Sequence, residues 1–363
     1  MNAEARTNAS TGTRVPGGER GRISPLGDRL RQETTAVRST TRAVGEITTP
    51  RALMVLDLTS DDAEIVGVDF IGYVYRWDRL LGQPLSDPVQ VHPRTVYAML
   101  LTPDDHEIVI GGGDGVLRRW DRVNGTPVGE PLTGHRSRIR GLAVTRDGQE
   151  LVSASQDGTA RRWNRTAGLS LGNSLVGHAG TVRAVALAAE EDIIVTAGQD
   201  GTVRRWNRWD GVPIGEPILG HSGPIQALAA SPDGRVVASG GRDGTVRRWD
   251  LGSGRPLGAP LVLDSSVWSV LLTSDGEVAA GSAHGLLHRW DRTGQRIGAA
   301  VAAHKWGVPS LAVTRDETEL VTCGWDKTIR RWARVTGEPT RSARKETRID
   351  LVPRLEITGT TPF

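Results

Sequence analysis

The 363-residue chain has a single cysteine, three methionines, only three lysines and no long apolar run. The lone Cys323 excludes an internal disulfide and any cysteine-based metal cluster. No stretch approaches the roughly 20 apolar residues that span a bilayer. The opening MNAEARTNAS also lacks the apolar core of a signal peptide, so a soluble, cytoplasmic protein without a membrane partner is expected. Strong charge of either sign is missing as well. The formal net charge is +3, and the ends carry it: residues 1–41 hold seven Arg against four acids and residues 334–363 six cations against four, which leaves the middle at −2. A near-neutral middle lacks the footprint that a phosphate backbone requires, so nucleic acid is not the expected partner. The 42 Arg against three Lys read as the bias of a GC-rich bacterial genome. Helical periodicity is absent throughout, and 45 Gly with 19 Pro favour turns and short strands.

What the chain does have is repetition. The stretch QDGTVRRWNR (199–208) has near copies at 113–122, 156–165, 242–251, 283–292 and 325–334, and a weaker one, FIGYVYRWDR, at 70–79. Their tryptophans are Trp77, Trp120, Trp163, Trp206, Trp249, Trp290 and Trp332, spaced by 43, 43, 43, 43, 41 and 42 residues. Each copy divides alike. In the fourth, PIGEPILGH (213–221), GPIQALAA (223–230), RVVASG (235–240) and GTVRRWD (244–250) are four short strands between Gly, Asp and Pro turns. A four-stranded sheet cannot cover its own apolar faces, so seven such units are expected to stack around an axis as an all-β, seven-bladed β-propeller of antiparallel blades.

A Gly-His pair, a strand, an Asp-Gly turn with Asp six residues before Trp, and Trp-Asp or Trp-Asn after it resemble the WD-repeat family. The resemblance covers residues 42–333 and implies that each sequence repeat runs from the outer strand of one blade through the inner strands of the next. RAVGEITT (42–49) is similar to PVGEPLTGH and PIGEPILGH, so it is expected to supply the missing outer strand of the seventh blade, with LVPRLEIT (351–358) as the rival. Residues 1–41 read as a disordered tail and 334–363 as a second tail, partly ordered at most.

Four repeats place His, Ser or Thr, Asp and Trp in register: His135, Ser153, Asp157, Trp163; His178, Thr196, Asp200, Trp206; His221, Ser239, Asp243, Trp249; and His304, Thr322, Asp326, Trp332. Ser, His and Asp invite a hydrolase reading. Multiplicity argues against it, because a catalytic site occurs once, whereas a recurring buried set satisfies its own polar groups. In the WD-repeat family these positions form a structural tetrad. The second repeat has His92, Asp114 and Trp120 but Ile110 in the hydroxyl position. The first (Thr49, Gly67, Ile71) and sixth (Asp264, Ala280, His284) depart further, and are expected to be held by packing more than by polar networks.

Arg precedes the Trp in all seven copies: Arg76, Arg119, Arg162, Arg205, Arg248, Arg289 and Arg331. A charge between blades needs partners. Either the guanidinium bonds Asp or Asn and backbone carbonyls between blades, or its stem packs while its head reaches the rim; the rival is a basic ring that binds an anion. There is no CxxC, HExxH, nucleophile elbow or P-loop, and GGGDG (111–115) lacks a following helix, so neither catalysis, metal nor cofactor is expected.

Function is sought where the repeat breaks. In the WD-repeat family partners commonly contact the face that carries the turn before the tetrad Asp and the start of the innermost strand. Carried onto this chain, these positions include Phe70, Gln199, Arg242 and Trp325 in the turns, and Met54, Tyr97, Arg140, Arg183, Gln226 and Trp268 on the strands; Trp306 follows His304. Aromatic and Arg residues are the usual anchors of protein interfaces. Either these Trp grip a protein partner or they plug the channel and pack on the next blade. A non-enzymatic interaction scaffold, monomeric by itself, is the leading expectation; a propeller enzyme or small-molecule binder with a pocket at the channel mouth, and a glycan-binding propeller, are the alternatives.

Overall fold

Every repeat folds as a small antiparallel sheet, and the seven sheets form a seven-bladed propeller. The computed structural model describes residues 43–188 and 192–334. Of the two expected tails, 1–41 and 334–363, only Arg334 lies among the described residues.

The third blade shows the plan. Ile139–Val144 is innermost, Glu150–Ser155 and Thr159–Asn164 follow, and the outer edge is two fragments, Leu169–Ser170 and Leu175–Val176. Outer strands are short in every blade but the seventh, and in blades two and four they shrink to single bridges at Pro127 and Leu132, and at Pro213 and Ile218. Proline has no N–H to give a ladder, which suits it to this edge.

The ring closes as expected. Ala43–Thr48 pairs antiparallel with Thr328–Ala333, setting Ile47 opposite Ile329 and Thr48 opposite Thr328. Ile47 is buried with Leu53, Trp77, Cys323 and Ile329, and Glu46 bonds Arg330 at 2.8 Å. The rival segment 351–358 lies outside the described residues, and the edge it would need is taken. On the inner rim, Ser310 Oγ of blade seven bridges the backbone N–H and C=O of Leu56 in blade one.

No blade has a core of its own; the apolar side chains meet between blades. Val66 and Val68 of blade one pack on Met99, Ile108 and Ile110 of blade two, and Val195 and Ala197 of blade four on Val237 and Trp249 of blade five. The indole of each complete blade is buried against its predecessor, where a Trp→Ala change costs about 3–5 kcal/mol.

The arginines before the Trp lie between blades, and their acid partner is neither the Asp nor the Asn beside the Trp. It is a Glu at the start of the second strand. Arg76 bonds Glu64 at 2.9 Å, Arg162 bonds Glu150 at 2.8 Å, Arg289 bonds Glu277 at 2.6 Å and Arg331 bonds Glu319 at 3.0 Å, while Arg119 lies 3.8 Å from Glu107. The same carboxylate takes a second arginine, two residues after the Trp of the following blade. Arg122 meets Glu64, Arg165 meets Glu107, Arg208 meets Glu150, Arg334 meets Glu277 and Arg79 meets Glu319. Four of the seven blade junctions are thus clamped by a hydrogen-bonded Arg–Glu–Arg set, and Glu107 makes a looser one, 3.8 and 3.5 Å from its two arginines. At the other two, Ile193 and Val236 stand where the Glu would be. There Arg205 turns to the carbonyls of Leu251 and Gly252 at 2.6 and 3.0 Å, and Arg248 to those of Arg292 and Thr293 at 2.6 and 3.3 Å. The backbone-carbonyl expectation holds for Arg162, Arg205, Arg248 and Arg331; a solvated rim position does not.

The two faces of the ring differ in charge. Turns after the innermost strands bring acids to one face, each carboxylate fixed by the hydroxyl two residues earlier, as in Thr59–Asp61 at 2.7 Å, Ser231–Asp233 at 2.5 Å and Thr273–Asp275 at 2.6 Å. Arg94, Arg136, Arg138, Arg242 and Lys305 stand in the turns of the opposite face.

Candidate partner-binding site at the channel mouth

The tetrads consume the histidines. In blade three Trp163 Nε1–H donates to Ser153 Oγ at 2.8 Å, Ser153 lies 2.8 Å from His135 Nε2, and His135 Nδ1 lies 2.8 Å from Asp157. With Nδ1–H donating to the carboxylate, Nε2 is left to accept from the hydroxyl, which itself accepts from the indole. Blades four, five and seven repeat this through His178–Thr196–Trp206, His221–Ser239–Trp249 and His304–Thr322–Trp332, with all links to the hydroxyl between 2.7 and 2.9 Å. Each Asp also accepts the backbone N–H after its His, at Arg136, Ala179, Ser222 and Lys305.

Burial pushes His178, His221 and His304 below the ordinary histidine value, although their aspartates pull the other way. For Asp200, Asp243 and Asp326 burial raises the carboxyl, but the hydrogen bonds and the imidazole outweigh it and leave each below the usual range. An unfolded His binds its proton near pH 6.5, above its folded counterpart, so stability is full at neutral pH and falls as the pH drops below about 6.5. A second loss follows below about pH 4, where unfolded carboxylates take up protons that the folded ones refuse. Urea midpoints at pH 7.5, 5.5 and 3.5 should therefore decline in two steps. Asp57, raised to about 6, gains stability as the pH falls over the same range, so the comparison is made in an Asp57→Asn background, where a midpoint unchanged between pH 7.5 and 5.5 would contradict neutral histidines at 178, 221 and 304.

Blades one and six, expected to be held by packing more than by polar networks, have polar pairs of their own. In blade one, Tyr75 O–H donates to Asp69 at 3.0 Å and its ring stacks on Trp77, centroids 5.6 Å apart. In blade six the tetrad roles are exchanged: Asp264 occupies the histidine position and bonds both His284 and His288 at 2.9 Å, with His288 stacked on Trp290 at 5.6 Å. Both substitutes, Tyr75 and His288, come from the position two before the Trp, where the other blades have Arg. Blade two has no such repair. Ile110 offers no hydroxyl, the indole N–H of Trp120 is buried without a partner, and His92 is turned so that Nε2 meets Asp114 at 3.1 Å.

The start of each innermost strand reaches the channel mouth, on the face that carries the Gly-His turns. A cavity of about 530 Å³ opens there, lined among others by Met54, Tyr97, Arg140, Arg183, Gln226, Trp268 and Trp325. Pro309 and Ser310, the start of blade seven's inner strand, complete the wall and were not among the expected residues. Trp268 and Trp325 border the cavity without filling it, and Trp268 also packs on blade seven at Gly307. Trp268 and Trp325 form a tilted pair, centroids 4.5 Å apart, and Trp325 is 42 % exposed.

The remaining expected residues lie around the opening. Phe70 is exposed and edge-on to Tyr97 at 5.7 Å. Gln199 and Arg242 are exposed at the rim and do not line the cavity. Trp306, 55 % exposed with Lys305 Nζ 5.0 Å over its ring, does not line the cavity either. Trp209 stands in an outer turn, exposed, under Arg208.

Trp268 keeps its place because residue 307 is glycine. A Cβ built on Gly307 would lie 2.0 Å from Trp268 Cζ3. Gly307→Ala should therefore push the indole off its seat and break the Trp268–Trp325 pair while the blades stay folded. Near-ultraviolet circular dichroism should lose the coupled-indole signal; an unchanged spectrum would mean that the ring is not seated there.

On the other side of the mouth, Arg140 lies with its guanidinium carbon 4.1 Å from the Tyr97 centroid, and Arg183 Nη1 donates to Gln226 Oε1 at 2.9 Å. Among the described residues no carboxylate pairs with either. Burial pushes both guanidinium groups below their ordinary value, and neighbouring cations add to it, Arg138 beside Arg140, and Arg140 and Arg242 beside Arg183.

Four stretches, residues 125–164, 169–207, 212–250 and 297–333, match the family profile described as WD domain, G-beta repeat. They contain the four complete tetrads. The chain thus carries WD repeats, which supply the inner strands of blades three, four, five and seven of the seven-bladed ring. Propellers of this family commonly mediate protein interactions and are typically non-enzymatic. No curated protein matches the chain.

Proposed function

We propose that the protein is a non-enzymatic, cytoplasmic scaffold, monomeric by itself, that grips a segment of a partner protein at the channel mouth. The observation that carries this is the mouth itself: an open cavity bordered by a partly exposed indole pair on one side and arginines without carboxylate partners on the other. Tryptophan and arginine are enriched in binding hot spots, where they fill well-packed, desolvated pockets near the centre of an interface.

The chemistry of the lining supports the non-enzymatic reading. No imidazole, thiol or carboxylate is among the residues that form the cavity. Asp57, whose carboxyl burial pushes up to about 6, accepts the N–H groups of Leu101 and Leu58 and does not line it. The Cys323 thiol is buried and pushed up to about 12, which removes its thiolate. A glycan reading would want the Trp platform repeated around the ring, and it is confined to blades six and seven.

The test is a pull-down from the native host followed by rebinding of the recovered protein in purified form. The wild type and Trp209→Ala should retain it, and the triple variant Trp268→Ala, Trp306→Ala, Trp325→Ala should lose it. Equal recovery by the triple variant would overturn this face.

A further inference from the structure

We propose that the channel mouth recognises an acidic peptide segment, a carboxylate of which is held between Arg140 and Arg183 while an adjacent apolar side chain rests on the Trp268–Trp325 pair. This rests on the reading of the mouth as a protein-binding site and names the chemistry of the partner.

The fold supplies partners to the seven arginines that precede the repeat tryptophans. At five blade junctions it brings a glutamate to them, and at the other two it brings backbone carbonyls. At the mouth it brings neither. Arg140 is stacked on Tyr97 and has one long contact, 3.5 Å to Gln156 Oε1; Arg183 has Gln226. These contacts are with neutral groups. They fix where each guanidinium stands without neutralising it, and the Nε–H of both is buried and unbonded.

The acids of the same face cannot serve instead. Asp157, Asp200, Asp243 and Asp326 are each committed to a histidine and a backbone N–H. Arg138, which donates to Tyr97 Oη at 3.1 Å, and Arg242 add further positive charge to the rim. The fold therefore holds like charges together in a half-buried place, where a ligand carboxylate gains two charge-assisted forks whose donors are already oriented. An apolar neighbour is required by the opposite wall. The indole pair is rigid, partly exposed and offers no charge, so the ligand that uses the whole mouth carries an acid and an apolar side chain near one another.

The experiment uses the full chain and an array of short synthetic peptides. Each peptide carries Asp or Glu and Phe or Leu at every relative spacing, with matched sets in which the acid is replaced by Gln, by Lys or by phosphoserine. Binding is read by fluorescence anisotropy at two salt concentrations. Acidic peptides should bind, more weakly at high salt, and their Gln and Lys counterparts should not. The double variant Arg140→Gln, Arg183→Gln should lose about tenfold or more in affinity, with a thermal midpoint equal to or above that of the wild type, since relieved repulsion offsets the lost stacking. Gln peptides that bind equally, phosphoserine peptides that bind where the carboxylate peptides do not, or undiminished binding by the double variant would each overturn the proposal. A host partner lost by the triple Trp variant but retained by the double Arg variant would also overturn it while leaving the protein-binding reading intact; absence of any partner sensitive to the Trp residues would remove that reading first.

Discussion

Glu150→Ala should destabilise the propeller by about 3–5 kcal/mol in chemical denaturation, the range seen when one partner of a buried ion pair is removed. Glu150 is buried, and its two oxygens serve Arg162 of its own blade at 2.8 Å and Arg208 of the next at 3.0 Å. Removing the carboxylate leaves two cations facing each other across a junction whose dielectric is low. Two comparisons separate this from the loss of a generic contact. Glu46→Ala breaks an ion pair of the same length with Arg330, but Glu46 is half exposed, and its cost should stay under about 1 kcal/mol. Arg205→Leu changes an arginine at a junction that has no glutamate. Its neighbours there include Ile193 and Leu251, so the loss of two carbonyl bonds is partly offset by apolar burial, and the cost should be about 1 kcal/mol or less. A small effect of Glu150→Ala, equal to that of Glu46→Ala, would mean that the clamps add nothing to the junctions.

Deletion of the segment through Thr48 should be more severe still. It strips the third strand of blade seven of its antiparallel partner and removes Ile47 from a buried cluster shared with blade one. The lost Ile alone is worth about 2–5 kcal/mol, and each ladder hydrogen bond adds about 1. The total exceeds about 5 kcal/mol, comparable to the whole stability of many domains. The exposed edge of Thr328–Ala333 then invites pairing with other chains. Size-exclusion chromatography should show aggregated or expanded material. A monomer with the wild-type denaturation midpoint would show that the ring does not depend on this strand.

The architecture was legible because it is written seven times. One period gave the blade, the Trp spacing gave the count, and the outer-strand likeness of RAVGEITT gave the closure. The complete tetrads were legible for the same reason, since His, Ser or Thr, Asp and Trp recur at fixed offsets. The substitutes were not. Nothing in the spacing says that Tyr75 reaches Asp69, or that His288 reaches Asp264, because each occurs once and depends on a ring swinging onto a neighbouring Trp. The clamps were half written. A Glu stands thirteen residues before the Trp in five repeats, and Ile193 and Val236 take its place in the other two; Leu251 is likewise the one break in the arginines two places after the Trp. That co-occurrence was visible, but pairing Glu64 with Arg122 needs two successive blades to be laid face to face. At the mouth, the family's geometry brought the correct strand starts together. It could not separate Trp325, which lines the cavity, from Trp306 and Gln199, which stand outside it, since all three occupy turns of the same face.

The scaffold reading stands or falls with the channel mouth as the surface that engages the partner. Hydrogen-exchange mass spectrometry of the full chain with and without the purified partner tests it most directly. Protection is expected at the starts of the innermost strands around 138–142, 181–185, 266–270 and 307–311 and in the turn at 324–326. Protection confined to the acidic turns of the opposite face, around 59–63, 102–106 and 273–277, would contradict it.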